Sequence, residues 1–447
     1  MLKNNPYKVN FDMDVLRQVV FQNIALHLKY DLPSFRIHSI FAYQKNAGDR
    51  RDEYDYTPFD IQSAVGDNVL HNFSQEFRLV STNDSSLQWT AGVFLYHNKT
   101  SQNDNFIAGK DISLVDPTAI PNTRSDMLET IQKGIALYGQ ATYTLNDKVS
   151  FTGGLRLDYE KNTVDIERTY NIAAFPPSGF VDAAEFTSFS PKGTIGYNIS
   201  NEIFAFGSIA RGYKPGGINQ FITDKEKAKF NPEQSLNYEI GLKSTILNNT
   251  LKLNLTGFYT SYTGQQIFTL LDLSTFAFGI DNIGESRIFG LEFEGKAAIS
   301  KGLSLGMNLG YLNAKVSKYN EVIVNPSDGT VILEDRSGKT LPVSPEFNGN
   351  INVNFVQPLS KKINLESSLD YNYQSDIYFD IPNNSLQPSY GLLNGRLGIT
   401  SQTMDLFIWA KNLTNEAYYG YGYGVGTFNA AAFALPRTFG ANITLKF

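Results

Sequence analysis

The chain has 447 residues with 38 Lys and Arg against 44 Asp and Glu, a formal charge of -6, and no extended basic block, which excludes a nucleic-acid footprint. It has no cysteine, so disulfides, thiolate metal sites and cysteine nucleophiles are excluded, and no apolar run is long enough for a transmembrane helix. The enriched residues, 32 Phe and 25 Tyr among frequent Gly, Asn, Ser and Thr, favour strands and turns.

In chain order, the start Met1-Leu2-Lys3-Asn4-Asn5-Pro6-Tyr7 has no apolar core followed by a small-residue cleavage site, so it is not read as a secretory signal. Strands are then expected near 19-30, 35-45, 69-82, 87-103, 131-145, 149-164, 185-199, 202-213 and 234-247, and on through 250-265, 281-299, 303-316, 346-358, 362-377, 388-401, 403-414 and 434-447. The period is two throughout. Val149, Phe151, Leu155, Leu157 and Tyr159 alternate with Ser150, Thr152, Arg156, Asp158 and Glu160, and Ile351, Val353 and Phe355 alternate with Asn350, Asn352 and Asn354. One face of each strand is apolar and the other polar.

The connections distinguish a membrane barrel from a soluble sandwich. Short turns (Asp31-Leu32-Pro33-Ser34, Asn83-Asp84-Ser85-Ser86, Asn146-Asp147-Lys148, Asn248-Asn249-Thr250, Ser300-Lys301-Gly302) alternate with long loops. In an up-and-down barrel this alternation puts tight turns at one end and large loops at the other, which is the outer-membrane arrangement. The expected fold is therefore all-β, a transmembrane antiparallel up-and-down β-barrel.

The last strand, Phe439-Gly440-Ala441-Asn442-Ile443-Thr444-Leu445-Lys446-Phe447, steps back in twos from an aromatic end. Bacterial barrels resemble one another in this ending, so Phe439, Ile443, Leu445 and Phe447 are expected to form the signal read by the barrel-assembly machinery, with Phe447 on the periplasmic side. Counting backward from there gives seventeen strands, whereas single-chain bacterial barrels have an even number. Residues 1-18 then read as the remnant of an external loop, residues 19-447 as a barrel lacking its first strands, and closure of the chain alone is not expected.

A set of motifs in fixed order resembles the TonB-dependent outer-membrane receptors. They are Phe73-Ser74-Gln75-Glu76-Phe77-Arg78-Leu79-Val80-Ser81 with Trp89-Thr90-Ala91-Gly92-Val93-Phe94, and Ala210-Arg211-Gly212-Tyr213-Lys214-Pro215-Gly216-Gly217. Asn231-Pro232-Glu233, Tyr238-Glu239-Ile240-Gly241-Leu242-Lys243 and Asn282-Ile283-Gly284 with Gly290-Leu291-Glu292-Phe293-Glu294-Gly295 follow, then Asn412-Leu413-Thr414-Asn415-Glu416-Ala417-Tyr418 and Pro436-Arg437-Thr438-Phe439-Gly440. The resemblance implies a 22-stranded barrel with an N-terminal plug, residing in the outer membrane and moving a scarce ligand, commonly a ferric siderophore, with energy from TonB. About 17 of those 22 strands are found, and the plug, the TonB box and the signal peptide have no counterpart. TonB would act only through that absent plug region.

Individual residues read modestly. His27, His38, His71 and His97 have no metal-ligand spacing, no Ser-His-Asp order is present, and Glu292 with Glu294 or Asp158 with Glu160 read as lumen lining. No catalytic residue, metal or cofactor is expected. Arg211 and Tyr213 lead into a Gly-rich loop, and the run Tyr418-Tyr419-Gly420-Tyr421-Gly422-Tyr423-Gly424 joins exposed rings to a flexible backbone. Arg211, Tyr213, Tyr419, Tyr421 and Tyr423 are thus the candidate ligand contacts, while Phe175, Phe180, Phe221 and Phe428 fit either a vestibule or an interfacial girdle. The rival functions are a passive porin and a soluble all-β adhesin.

Overall fold

The structure is a computed structural model that describes residues 7, 8, 10-220, 222, 225-272, 277-324, 330-425 and 428-446. Seventeen strands form one antiparallel sheet. In chain order they are β1 (Leu16–Asp31), β2 (Phe35–Glu53), β3 (Gln62–Ser81), β4 (Leu87–Ala108), β5 (Asn122–Leu145), β6 (Val149–Tyr170), β7 (Ser178–Asn198) and β8 (Ile203–Lys214). Then come β9 (Glu233–Ile246), β10 (Leu251–Asp272), β11 (Ala277–Ala298), β12 (Leu303–Lys318), β13 (Phe347–Ser360), β14 (Ile363–Gln374), β15 (Tyr390–Ser401), β16 (Met404–Lys411) and β17 (Thr438–Leu445). Each strand pairs with the next, a pure meander, and among the described residues β1 pairs only with β2 and β17 only with β16.

All seventeen expected strands are present, and the turns segregate as the sequence predicts. Connections 32-34, 82-86, 146-148, 199-202, 247-250, 299-302, 361-362 and 402-403 lie at one end, and the remaining ones at the other. Asn146 and Asp147 adopt φ of 50° and 56°, and Asn248 and Asn249 adopt 54° and 67°. Positive φ at successive residues matches the turn twist to that of the paired strands, which is why Asn and Asp fill these positions.

Several strands extend further toward the loop end than their alternation predicts. β2 runs to Glu53 rather than 45, β3 starts at Gln62 rather than 69, β5 at Asn122 rather than 131, and β7 at Ser178 rather than 185. A strand crosses a bilayer in about 9 to 11 residues, so a 24-residue strand such as β5 projects well beyond it. Past the lipid both faces meet water and the period-two pattern disappears, as in Asn46-Ala47-Gly48-Asp49-Arg50-Arg51-Asp52. β1 likewise begins at Leu16, inside the segment assigned to the loop remnant.

Exposure is inverted relative to a soluble protein. Mid-strand apolar residues such as Leu137, Leu157, Phe189, Ile240, Leu291, Leu309, Leu369 and Ile408 are exposed on the outer face. The inner face is polar and cross-linked, for example by Asn350 to Asn372 at 2.9 Å, Asn352 to Asn350 at 3.2 Å and Asn394 to Asp370 at 2.9 Å. A soluble sandwich would bury those apolar residues; a lipid-facing sheet exposes them. Buried apolar clusters occur instead at the loop end. Ile218, Ile222 and Ala228 of the 215-232 connection fold inward onto Leu128, Val164, Ile166 and Ala184 of β5, β6 and β7.

Candidate functional site

The inner face at the loop end brings together residues that no local pattern links. Arg50, Gly66, Asp104, Asp126 and Arg168 occupy one cross-strand row over β2 to β6. Gly66 presents no side chain, and a Cβ there would stand 2.1 Å from Asp104 Oδ1. Arg50 uses the gap, placing Nη2 at 2.7 Å from Asp104 Oδ1 while its Nη1 donates to Asp52 at 3.1 Å. On the other side Arg168 grips Asp126 with two parallel bonds, Nε to Oδ1 at 2.8 Å and Nη2 to Oδ2 at 3.1 Å. Arg124 adds a third cation at 3.3 Å from Asp126 and lies 4.2 Å over the Phe106 ring.

Two adjacent buried carboxylates are sustained here only because three guanidinium groups surround them. Rings continue the surface, with Tyr54 stacked on Phe106 at 6.3 Å. The 215-232 connection covers the neighbouring wall, its Lys229 and Lys225 reaching Asp182 at 3.1 and 3.7 Å. Asn219 ties the connection to β11 by a reciprocal pair of bonds with the Ile280 backbone, at 2.8 and 2.7 Å. The outcome is a ring-bearing rim at the mouth of the lumen in which the three guanidinium groups are matched by Asp52, Asp104 and Asp126, while Lys225 and Lys229 share the single carboxylate of Asp182.

A second polar ledge lies nearer the turn end. Arg78 donates to Glu76 at 2.8 Å, and the Tyr138 hydroxyl bonds Glu76 and accepts from Arg78 at 3.2 Å. Tyr138 on β5 reaches Glu76 on β3 across Gly92 of β4, where a Cβ would fall 2.5 Å from the hydroxyl. Tyr96 crosses Gly134 in the same way and donates to Glu160 at 2.7 Å. Asp158, Glu160, Glu292 and Glu294, read from the sequence as lumen lining, share the inner face with these groups, and the register places His27 there too.

The five candidate ligand residues are not brought together. Arg211 faces outward, its Nη2 donating to Gln234 Oε1 at 2.5 Å. Tyr213 stands above the point where β7 and β8 stop pairing, with a buried hydroxyl. Tyr419, Tyr421 and Tyr423 belong to a strand (Tyr419–Val425) paired with Phe428–Phe433, so the Gly-Tyr run is an ordered hairpin and not the flexible backbone expected. Tyr419 packs on Phe433 at 4.6 Å, and the ladder shifts register between Tyr419 and Tyr421. The side chains of Tyr423 and Phe428, and Phe221 and Phe447 entirely, lie outside the described residues. Phe175 packs on Tyr170 at 5.1 Å and Phe180 on the inward cluster. The Arg50–Asp104 and Arg168–Asp126 pairs escaped the sequence because they join residues 54 and 42 positions apart.

One loop group titrates unusually. Glu53 is 4% exposed, and its carboxyl is pushed up to about 7, first by burial and then by the adjoining carboxyls of Asp12 and Asp55.

A wide meander with an apolar outer face, a polar inner face and loops gathered at one end defines the barrel wall of a membrane receptor or channel. Residues 3–413 match the family described as TonB dependent receptor-like, beta-barrel, and the chain belongs to it. It is 25% identical over 323 residues to the pesticin receptor of Yersinia pestis, covering 71% of this chain and 44% of that protein, and matches the Yersinia enterocolitica counterpart equally. The chain thus spans less than half the length of these relatives. Among solved structures, the ferric yersiniabactin uptake receptor FyuA of Yersinia pestis superposes with a TM-score of 0.81 at 21% identity, over 97% of this chain and 62% of that one. The siderophore receptor PiuA of Acinetobacter baumannii gives 0.77 at 16% identity, over 97% and 65%. The fold is shared with both.

Proposed function

We propose that the chain forms most of the barrel wall of an outer-membrane receptor for TonB-energised uptake of a ferric siderophore or a similar iron complex. The observation that supports this most is the inner rim of Arg50, Arg124 and Arg168 beside stacked rings, set at the loop end of a wall whose outer face suits lipid. A negatively charged chelate with aromatic groups would find ring surfaces there, and beside them the half-exposed Lys225 and Lys229, which share one carboxylate and so leave one positive charge in excess. Tyr419 and Tyr421, on the hairpin above the same mouth, are proposed as additional contacts.

Further strands are proposed to close the wall between β1 and β17, with the barrel beginning at Leu16 rather than at residue 19. Phe439, Ile443 and Leu445, exposed on the outer face of β17, fit recognition by the assembly machinery. The chemistry is that of a carrier rather than an enzyme.

The test is uptake of radiolabelled iron by a deletion strain complemented with the full-length gene, offered a panel of ferric siderophores, with and without TonB. TonB-dependent restoration for at least one chelate is expected. Uptake that stays at the deletion level across the whole panel would overturn the iron reading.

A further inference from the structure

The outer face of β2 to β6 changes character abruptly on the way from turns to loops. Its turn-side positions are apolar apart from Ser39 and Gln75, which bond each other at 3.1 Å: Ile37, Phe41 and Tyr43 on β2, Leu79, Phe77 and Phe73 on β3, Val93 and Leu95 on β4, Leu137 and Ile135 on β5, and Leu155, Leu157 and Tyr159 on β6. The next outward positions on the same strands are Lys45, His71, His97 with Lys99, Lys133 and Lys161. The register arranges them in two cross-strand rows, Lys45–His71–Lys99 and His97–Lys133–Lys161. Each residue lies about ten to twelve positions from the turn end of its strand, which is where a strand leaves the hydrocarbon.

Directly opposed like charges destabilise a sheet unless something neutralises them. Two of the lysines have partners, Lys99 with Glu129 at 2.6 Å and Lys161 with Glu185 at 2.7 Å. Lys45 and Lys133 form no ion pair among the described residues, and Lys133 stands between His97 and Lys161 in its row. Further toward the loops the outward face turns acidic, with Asp67, Glu129 and Asp165, so excess positive charge is confined to one band. Arg287 and Lys315, opposed on β11 and β12, make a smaller pair of the same kind.

We propose that this band binds the phosphorylated headgroups of lipids in the loop-side leaflet, while the apolar surface beneath it receives their acyl chains. A phosphate needs only the cations. A phosphorylated lipid also uses Tyr43, Phe73, Leu95, Ile135 and Tyr159 immediately below them, and this continuity selects the lipid over a free anion. The proposal rests on the membrane location already argued, which heat-modifiable migration of the folded protein checks separately.

The experiment is native mass spectrometry of the full-length protein purified from its membrane in detergent, then delipidated and offered a diphosphorylated lipid A or its dephosphorylated form. Preferential retention of the phosphorylated lipid is expected, weakened about tenfold in the Lys45→Gln/Lys133→Gln variant. Equal retention of the two lipids by the native protein overturns the proposal, and that arm needs no variant to fold. Displacement of the lipid by inorganic phosphate at low millimolar concentration would identify a simple anion site and overturn it as well. A variant that migrates as folded yet retains the lipid unchanged does the same.

Discussion

Arg50 reaches Asp104 over the backbone of an intervening strand, and Gly66 on that strand is the residue that leaves the passage open. A methyl group at Gly66 would sit 2.1 Å from Asp104 Oδ1 and 2.6 Å from the Asn103 carbonyl oxygen, and the latter cannot swing aside. Gly66→Ala is therefore expected to break the bridge and loosen the loop-end halves of β3 and β4. Limited proteolysis at the 54-61 connection should quicken markedly. Gly153→Ala is the control, because a Cβ there meets nothing within 4 Å. Equal protease resistance in the two variants would remove Gly66 from the account.

The Tyr138 hydroxyl crosses Gly92 to reach both members of the Arg78–Glu76 pair. Tyr138→Phe keeps the ring and removes one bonded hydroxyl, which should cost about 1 kcal/mol. Gly92→Ala displaces the whole ring and should cost more, since a Cβ also falls 2.7 Å from the Phe77 carbonyl oxygen. Denaturant midpoints of the detergent-folded protein rank the two, and the reverse order would show that the ring does not depend on the gap.

Arg168 holds Asp126 in a two-bond fork that a lysine cannot reproduce. With Asp104 and Asp126 directly opposed, loss of one fork leaves carboxylate facing carboxylate. Arg168→Lys should lower stability by about 1 to 3 kcal/mol, and Arg168→Met by about 3 kcal/mol or more. The double variant Arg168→Met/Asp126→Leu should recover much of that loss. A double variant no more stable than Arg168→Met alone would mean that charge burial is not what the pair manages.

The strand count, the turn positions and the apolar face were legible because each depends on neighbours in sequence. Leu155, Leu157 and Tyr159 alternate with Arg156, Asp158 and Glu160 whatever lies beside them. The rim was not legible, because Arg50 and Asp104 become partners only through register across β3. The hairpin of Tyr419 and Tyr421 is hidden from the sequence for a related reason. Glycine at every second position suggests a flexible chain, but here the partner strand Phe428–Phe433 holds it in a ladder. Arg211 is a candidate ligand contact on its motif, and the register of β8 with β7 and β9 puts it on the outward face.

Glu53 makes the loop between β2 and β3 sensitive to pH. A free glutamate gives up its proton near 4.5, while folded Glu53 keeps it to about 7 because it is buried beside Asp12 and Asp55. Between those values the folded loop binds more protons than the opened one, so its stability falls as pH rises. The stability is fully present below about 4.5 and lost as pH passes through about 7. The structure at stake includes the Tyr54 amide bond to the Gln62 carbonyl at 3.0 Å and the Asp55 amide bond to Glu53 at 3.1 Å. It also includes the packing of Phe11 on Tyr56 at 6.2 Å, which seats the segment preceding β1. Hydrogen exchange at Tyr54 and Asp55, corrected for the intrinsic rate, should show protection declining across that interval. Glu53→Gln keeps the shape without the charge and should hold protection level at its acidic value. Protection in the native protein that is flat or rises over the same interval would show that Glu53 ionises there without cost.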